Sequence, residues 1–560
     1  MSFDWTTLGE YARVQGGYAY KSNDFTEAGV CPVLKIKNVR VGTVDYSETS
    51  FISEKIANDT FEWRTKEGDI LISMTGSGPN APQSLVGRVA RIWGDEPEAW
   101  INQRVGRLVL NQEDLIHPDF LFYILSSQRS QDFLVSNSSG SANQANISGK
   151  TIESLPCPKI DYDRSANIAK TLRNFDQKIQ LNRQINQNLE SMAQAIFQSW
   201  FVDFDPVKAK IAAREQWQIL TDDERTKWLN ELLETQDYFK TCLLELTAKA
   251  GLSDVENVRL DSSLDLISCR GYGPEGSENL DIGLNNLRKE WESKIAGPAL
   301  QSASETLYLN IAAMTAISSR DETSIADMPT DEFSQLYKTA SLFPERLVES
   351  ELAEIPEGWE VLSLDHIANY QNGLALQKFR PEPGAEYLPV VKIAQLKKGF
   401  SDSEEKASIN INPKCIIDNG DVVFSWSGSL MVDVWCGGMA ALNQHLFKVT
   451  SNHYPKWFYY QWTKHHLAEF QRIAEAKAVT MGHIKREHLK SAYCFTPSSD
   501  ILSLIGSGSA NMLEKQISSR LEAQSLALLR DSLLPKLLSG ELDVSSITEL
   551  SDIEPAAMDV

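Results

Sequence analysis

The 560-residue sequence has no apolar run near the roughly 20 residues needed to cross a bilayer. Its start, Met1-Ser2-Phe3-Asp4-Trp5, lacks both the basic and the apolar stretch of a secretion signal. Seven cysteines, Cys31, Cys157, Cys242, Cys269, Cys415, Cys436 and Cys494, form no CxxC pair. An odd, dispersed set excludes a disulfide framework and fits a reducing compartment, so a cytoplasmic protein without membrane association is expected. Basic residues are also scarce, 54 against 76 acidic, for a net charge of −22. Taken whole, that argues against a nucleic-acid binder. The deficit is uneven, however: residues 207–350 carry −10 of it, whereas 361–498 sum to +3.

Catalytic chemistry is missing too. Gly149-Lys150-Thr151 looks like the end of a phosphate-binding loop, but the position that needs the loop's first glycine is Gln144. No Asn-Pro-Pro-aromatic sequence of the kind that holds a flipped base occurs, and no glycine-rich strand–helix turn is present for S-adenosylmethionine. His465, His466, His483 and His488 lie near Cys494 at spacings that fit no metal site. Glu475-Ala476-Lys477 lacks the Pro-Asp pair that would complete a nuclease motif, and no Ser/His/Asp set stands out. The expectation is a chain with no catalytic residues, no metal and no bound cofactor.

What is present is ordinary globular composition, 42% hydrophobic and 23% charged, at a length that predicts three to five domains. It is also a diverged tandem repeat. Leu8, Ala12, Gln15, Gly17 and Ala19 recur as Leu364, Ala368, Gln371, Gly373 and Ala375. Pro32-Val33 and Lys35-Ile36 recur as Pro389-Val390 and Lys392-Ile393, and Gly68-Asp69 as Gly420-Asp421. Asn102-Gln103 returns as Asn443-Gln444, and Ile147 as Ile484. The co-linear series implies duplication of a whole domain. Ile70–Thr75 and Val422–Trp426 alternate with period two after their Gly-Asp turns and read as half-buried strands. Stretches 119–135 and 456–476 read as helical.

Each repeat ends in a long helix. Ile168, Leu172, Phe175, Ile179, Ile185, Leu189, Met192, Ile196 and Trp200 recur mostly at spacings of three and four, as do Ile517, Leu521, Leu526, Leu529, Leu533 and Leu537. Each apolar stripe needs a cover, and the other helix is the expected one. Asn182, Asn186 and Gln187 interrupt the first stripe and are expected to set register. The resulting division is a first domain at 1–160, a long helix at 161–206, a mostly helical insertion at 207–350, a second domain at 351–498, a second long helix at 499–544, and an acidic tail at 545–560 expected to be disordered. A surface linker is expected near Ile355–Trp359. The fold class is α+β: two homologous β-rich domains with helices, each ending in a long helix of a coiled-coil pair.

Between the framework positions lie polar loops suited to DNA. Amides and guanidinium groups distinguish base edges, while lysines and hydroxyls hold phosphates. In the first repeat the candidates are Gln15, Tyr18, Lys35, Lys37, Asn38, Arg40, Thr75, Ser77, Gln103, Arg104, Asn143, Gln144 and Asn146. In the second they are Gln371, Asn372, Lys392, Gln395, Lys397, Lys398, Trp426, Ser427, Ser429, Gln444, His445, Thr480, His483 and Lys485. Framework residues repeat while these polar ones differ, as expected of two domains reading two different short sequences. A DNA-binding protein without an enzyme partner, and a helical scaffold that binds protein, remain as other readings of the same repeats.

The phrase Leu189 to Pro206 (LESMAQAIFQSWFVDFDP), the stretch Leu342 to Trp359, and the ending Leu533 to Leu542 (LLPKLLSGEL) resemble the DNA-specificity subunits of type I restriction–modification systems. The resemblance implies two target-recognition domains joined by two antiparallel helices, and a bipartite double-stranded DNA target. It also implies two methyltransferase subunits that modify adenine N6, and optionally two endonuclease subunits. S-adenosylmethionine, ATP and Mg2+ would belong to those partners. Leu189, Met192, Ile196, Trp200, Leu526, Leu529, Leu533 and Leu537 are the implied subunit-binding candidates. The long insertion at 207–350 departs from the commoner family pattern.

Overall fold

The computed structural model describes residues 3–77, 86–94, 96–141, 144–233, 237–249, 296–476 and 482–544. It divides into two compact units, Met1–Arg183 with Glu522–Val560, and Gln184–Leu521.

In the first unit a four-stranded antiparallel sheet runs in the order Ala12–Gly16, Val105–Leu110, Ile70–Ser73, Val89–Arg91. A second sheet orders Ser50–Ile52, Cys31–Leu34 and Trp100–Ile101, the last two parallel. The second unit repeats the plan. Asn369–Asn372, Leu446–Thr450, Val422–Ser425 and Met431–Val434 form its four-stranded antiparallel sheet. Tyr387–Val391 again runs parallel to Ala440–Leu442 in the other. The duplication therefore extends to strand order and direction.

The strands Ile70–Ser73 and Val422–Ser425 differ from the expected half-buried form, because every residue in them is buried. The alternation is real but both faces are covered. Ile70 and Ile72 enter the helix-packed core, while Leu71 joins Leu34 and Ile101 beneath the second sheet. Val422 and Phe424 divide from Val423 in the same way. Each buried Ile or Leu contributes about 1.5–3 kcal/mol. The expected helical stretches are each broken in two, as Pro118–Ser126 with Gln128–Ser136, and Lys456–His465 with Leu467–Ala476. Ser127 makes the first break by accepting from Ser130 N, a side-chain cap that restarts the helix.

The long helices are Tyr162–Phe197 and Ser499–Ser539, somewhat shorter than the sequence divisions. In the first unit they pair antiparallel. Asp176 meets Arg530 at 2.5 Å, and buried Asn182 donates to Glu522 at 2.9 Å. Asn182 is one of the polar positions expected to set register, and this contact joins it to the other helix. The helices also complete the domain cores, so the stripes are shared rather than reserved for one another. Ile168, Ala169 and Leu172 pack with Leu534, Leu537 and Leu538 in the first unit's core. Phe197 packs with Leu513 and Ile517 in the second's.

The first helix leaves through a π-helical turn at Gln198–Val202, and Phe204 then takes a left-handed backbone, φ 58°. That conformation costs on the order of 1–3 kcal/mol. Burial of its ring against Trp359 and Phe495, at centroid distances of 5.7 and 5.2 Å, offsets the cost. The described part of the insertion is mostly helical, with a core of its own around Phe239, Leu307, Met314 and Phe333. Lys210 ties it down. Its fully buried ammonium donates to the Phe343 carbonyl at 2.7 Å, and burial lowers its pKa to about 8. The expected surface linker is a correction: Ile355 and Trp359 are buried in the second unit's core, because Leu347–Glu349 and Glu354–Pro356 form a hairpin that carries them inward. Residues 250–295 of the insertion and the tail 545–560 lie outside the described residues. Among the described residues no helix is long and apolar enough to cross a membrane, and no group of three His, Cys, Asp or Glu is placed to hold a metal.

Candidate nucleic-acid interface

The site begins with two glycines. Gly17 N donates to the Val105 carbonyl at 2.9 Å and Tyr18 N to the Ile101 carbonyl at 2.9 Å. In the second unit Gly373 N reaches Leu446 O at 3.0 Å, and Leu374 N reaches Leu442 O at 2.9 Å. A Cβ on Gly17 would stand 2.2 Å from the Asn102 carbonyl oxygen; on Gly373 it would stand 2.3 Å from that of Asn443. Only glycine permits so close an approach. It brings the ends of the strands Ala12–Gly16 and Asn369–Asn372 against the Asn-Gln turns, so Tyr18 and Gln103 become neighbours: Gln103 N donates to the Tyr18 carbonyl at 2.9 Å. Tyr18 is exposed and packs edge-on against Trp63.

Sequence reasoning missed a charged pair beneath this turn. Arg107 donates to Gln15 Oε1 at 2.7 Å and pairs with Asp69 at 3.1 Å. Lys448 and Asp421 repeat the pair at 2.8 Å, with Lys448 opposite Gln371 in the strand register. Burial raises the Asp69 pKa, and Arg107 opposes the rise. The offset that relates Asn102 to Asn443 also relates Arg107 to Lys448, so a shared basic position was visible in the repeat. Gln15 therefore gives its side-chain oxygen to Arg107. Gln371 donates to the Asn372 carbonyl at 3.0 Å, leaving the Asn372 side chain exposed.

Three further segments converge at the strand ends. In the first unit Thr75–Gly76 pairs with Gln144–Asn146, and Thr75 Oγ1 donates to Asn146 Oδ1 at 2.8 Å. Met74 N donates to the Arg104 carbonyl at 2.9 Å, while the Gln103, Arg104 and Gln144 side chains are exposed. In the second unit Ser427 bridges His483, and Ser427 Oγ stands 2.9 Å from His445 Nδ1. Gln444 Nε2 lies 3.3 Å from His445 Nε2. The Trp426 ring sits between the two histidines, 5.9 Å from His445 and 6.3 Å from His483. Ser429 is exposed and Ser77 half-buried at the adjoining turns. The structure thus brings together most of the aligned polar positions in both copies. Thr75 and Ser427 are buried, so they support neighbours instead of presenting an edge. Asn143 and Thr480 lie outside the described residues.

The basic candidates form a separate group on each second sheet. Lys35 donates to Ser50 Oγ at 2.8 Å and lies 3.9 Å over the Phe25 ring; burial, and then Lys37, lowers its pKa. Lys37 pairs with Glu48 and Arg40 with Asp45, both at 3.1 Å. Asn38 is corrected outright. It is 2% exposed, and its amide bonds the Asp45 and Glu48 carbonyls, so it closes its loop and cannot reach a base. Lys392 pairs with Glu405, and Lys398 with Asp402 at 2.9 Å. Gln395 also turns to Asp402, at 3.3 Å. Lys397 is exposed without an ion pair among the described residues, and Lys485 is exposed before the short helix Arg486–Lys490.

The helix candidates divide as well. Leu537 is fully buried in the first unit's own core with Leu533 packed against that core, and Trp200 packs against Phe343 at 5.7 Å. Leu537 is therefore a correction to the subunit-binding set, while Leu533 and Trp200 remain half-buried. Leu189, Ile196 and Leu526 are half-buried, while Met192 and Leu529 stand 52% and 46% exposed. Leu528, 73% exposed, was missed because it falls off the stripe's spacing.

A family model for the type I restriction modification DNA specificity domain matches residues 3–191 and 356–523. The chain belongs to this family. The two matched stretches are the two repeats, so it is a type I specificity subunit carrying two copies of the domain, with the insertion between them. The specificity subunit of the type I restriction enzyme HindI of Haemophilus influenzae is 22% identical over 445 residues, covering 77% of this chain and 78% of that one. The MjaIX specificity subunit of Methanocaldococcus jannaschii is 25% identical over 202 residues, 35% of this chain and 46% of the relative. Among solved structures, the S subunit of a type I restriction-modification system from M. genitalium aligns over 96% of both chains, at 13% identity and a TM-score of 0.42.

Proposed function

We propose that this specificity subunit is noncatalytic and reads a bipartite, asymmetric site in double-stranded DNA, one half per domain. Two methyltransferase subunits, which transfer the methyl group of S-adenosylmethionine to adenine N6, bind its long helices. Two endonuclease subunits driven by ATP with Mg2+ join optionally. The chain itself binds none of these cofactors and works in the cytoplasm. The observation that carries the reading is the repeated cluster. Both copies use the same glycine cradle and basic–acidic pair to present one loop set, yet the side chains differ, Gln103, Arg104 and Asn146 in one against Gln444, His445 and His483 in the other. Identical scaffolding with different edges is what two separate readers require. Exposed Met192, Leu528 and Leu529 supply apolar contact for helical partners. The test is to map methylated adenines genome-wide in cells with and without the chain. Methylation at one two-part sequence, absent without the chain, is expected. A pattern unchanged by its removal overturns the proposal.

A further inference from the structure

His445 has no nitrogen left for DNA. Ser427 Oγ engages Nδ1 at 2.9 Å and the Gln444 amide nitrogen faces Nε2 at 3.3 Å. An amide nitrogen is only a donor, so Nε2 must accept, and the ring hydrogen sits on Nδ1 and donates to Ser427. Buried Ser427 is itself fixed, since its carbonyl accepts from Ser425 Oγ at 3.1 Å and its backbone bridges His483. The His445 backbone is held by its N–H on Asn443 Oδ1 at 3.2 Å, and its ring by Trp426. Among the described residues this chain of contacts leaves Gln444 with one N–H and its carbonyl oxygen unspent.

We infer that Gln444 reads an adenine in the half-site of the second domain, with His445 and Ser427 as positioning residues that fix the orientation of its amide. The donor–acceptor pair matches adenine in the major groove, where N7 accepts and N6–H donates. Guanine offers two acceptors there, and its O6 opposes the amide oxygen. Because the rotamer and the flip of Gln444 are set before DNA arrives, little ordering cost falls on binding. The first domain lacks the device: exposed Arg104, not an imidazole, stands where His445 stands. The inference rests on the reading of DNA proposed above and names the base.

The experiment uses the full chain and a duplex library randomised across both half-sites, with the bound fraction sequenced. The wild type should enrich a two-part sequence with adenine at one position of the second half. Gln444→Ala should cut that preference about tenfold or more and leave the other positions alone. Gln444→Glu keeps the acceptor and loses the donor, so cytosine, which offers its N4 donor, should replace adenine. Ser427→Ala removes the acceptor of the Nδ1 hydrogen. The hydrogen then moves to Nε2, Gln444 turns its oxygen toward the ring, and two N–H donors face the groove. The same position should swing toward guanine, while Ser427→Thr, which keeps the hydroxyl, retains adenine. A merely structural role for Ser427 would lower binding to every sequence alike. A two-part enriched sequence whose second half is indifferent to Gln444→Ala, or holds no adenine that responds to it, overturns this inference alone. Absence of an enriched second half in the wild type overturns the DNA reading and the inference with it.

Discussion

Replacing Gly373 with alanine should disable the second reading loop while sparing the first. The new Cβ would lie 2.3 Å from both the Asn443 and the Leu442 carbonyl oxygens, and real Cβ atoms do not come within 3.0 Å of such atoms. The Asn443–His445 turn must therefore retreat by about 0.7 Å or more. Both obstacles are backbone, so no side chain can rotate away. Retreat strains or breaks the bonds from Gly373 N to Leu446 and from Leu374 N to Leu442. At about 1 kcal/mol net for each bond, plus about 1–3 kcal/mol for forcing atoms into a packed site, the loss is on the order of 3–5 kcal/mol. It should appear as a lower denaturation midpoint for the second unit. In a randomised-site selection the second half-site should lose its sequence preference, because Gln444 rides on the displaced turn, while the first half-site is retained. Gly17→Ala should give the converse, with its Cβ 2.2 Å from the Asn102 oxygen. Wild-type stability together with intact preference at both half-sites would refute the claim that these glycines hold the loops.

Exchanging residues 1–160 for the equivalent domain of a relative should change one half of the methylated sequence and preserve the other; joint change would end the modular reading. Arg107→Leu should destabilise the first unit by about 3–5 kcal/mol, because it strands the buried Asp69 carboxylate, and adding Asp69→Asn should recover part of the loss in denaturant melts. Lys397→Ala should flatten the slope of log affinity against log salt by about 0.9. Lys392→Ala and Lys398→Ala should flatten it less, since Glu405 and Asp402 already compensate those charges, and equal slopes for all three would reject the distinction. His466 is pushed down from 6.5 to about 4 by burial and then by His465. Its contribution to stability is intact above about pH 6.5 and is lost as pH falls towards 4, because only the unfolded chain takes up the proton in that window. His466→Gln should reduce acid sensitivity by on the order of 2 kcal/mol between those pH values, measured by thermal melts along a pH series.

The repeat was legible because framework positions answer to backbone geometry. Gly17, Gly373, Asp69 and Asp421 recur, and the structure shows close approaches and turn contacts that admit little substitution. The sharing of the helix stripes was not legible. Leu537 and Met192 are both apolar at helical spacing, yet one is fully buried and the other 52% exposed, and only the neighbouring domain decides which. Asn38 misled for a related reason: an Asn in a polar loop serves the backbone as readily as a base, and its distant partners, Asp45 and Glu48, give no periodic signal. Ile355–Trp359 carries the Pro and Gly of a linker, but the value of burying Trp359 becomes apparent only beside Phe201 and Phe204.

The contact between Asp176 and Arg530 joins residues 354 positions apart, and Phe3 N meets the Ser539 carbonyl at 3.3 Å. A segment synthesised early is thus finished by one synthesised much later. On a ribosome, residues 1–183 emerge without Leu534, Leu537 and Leu538, and must wait with an incomplete core while more than 300 further residues are made, a long exposure to misassociation. The same closure limits inheritance. A gene crossover within 207–350 would pair one parent's Asp176 and Asn182 with the other parent's Arg530 and Glu522. Recombinants would survive only where those helical partners had stayed compatible, however freely their reading loops diverged.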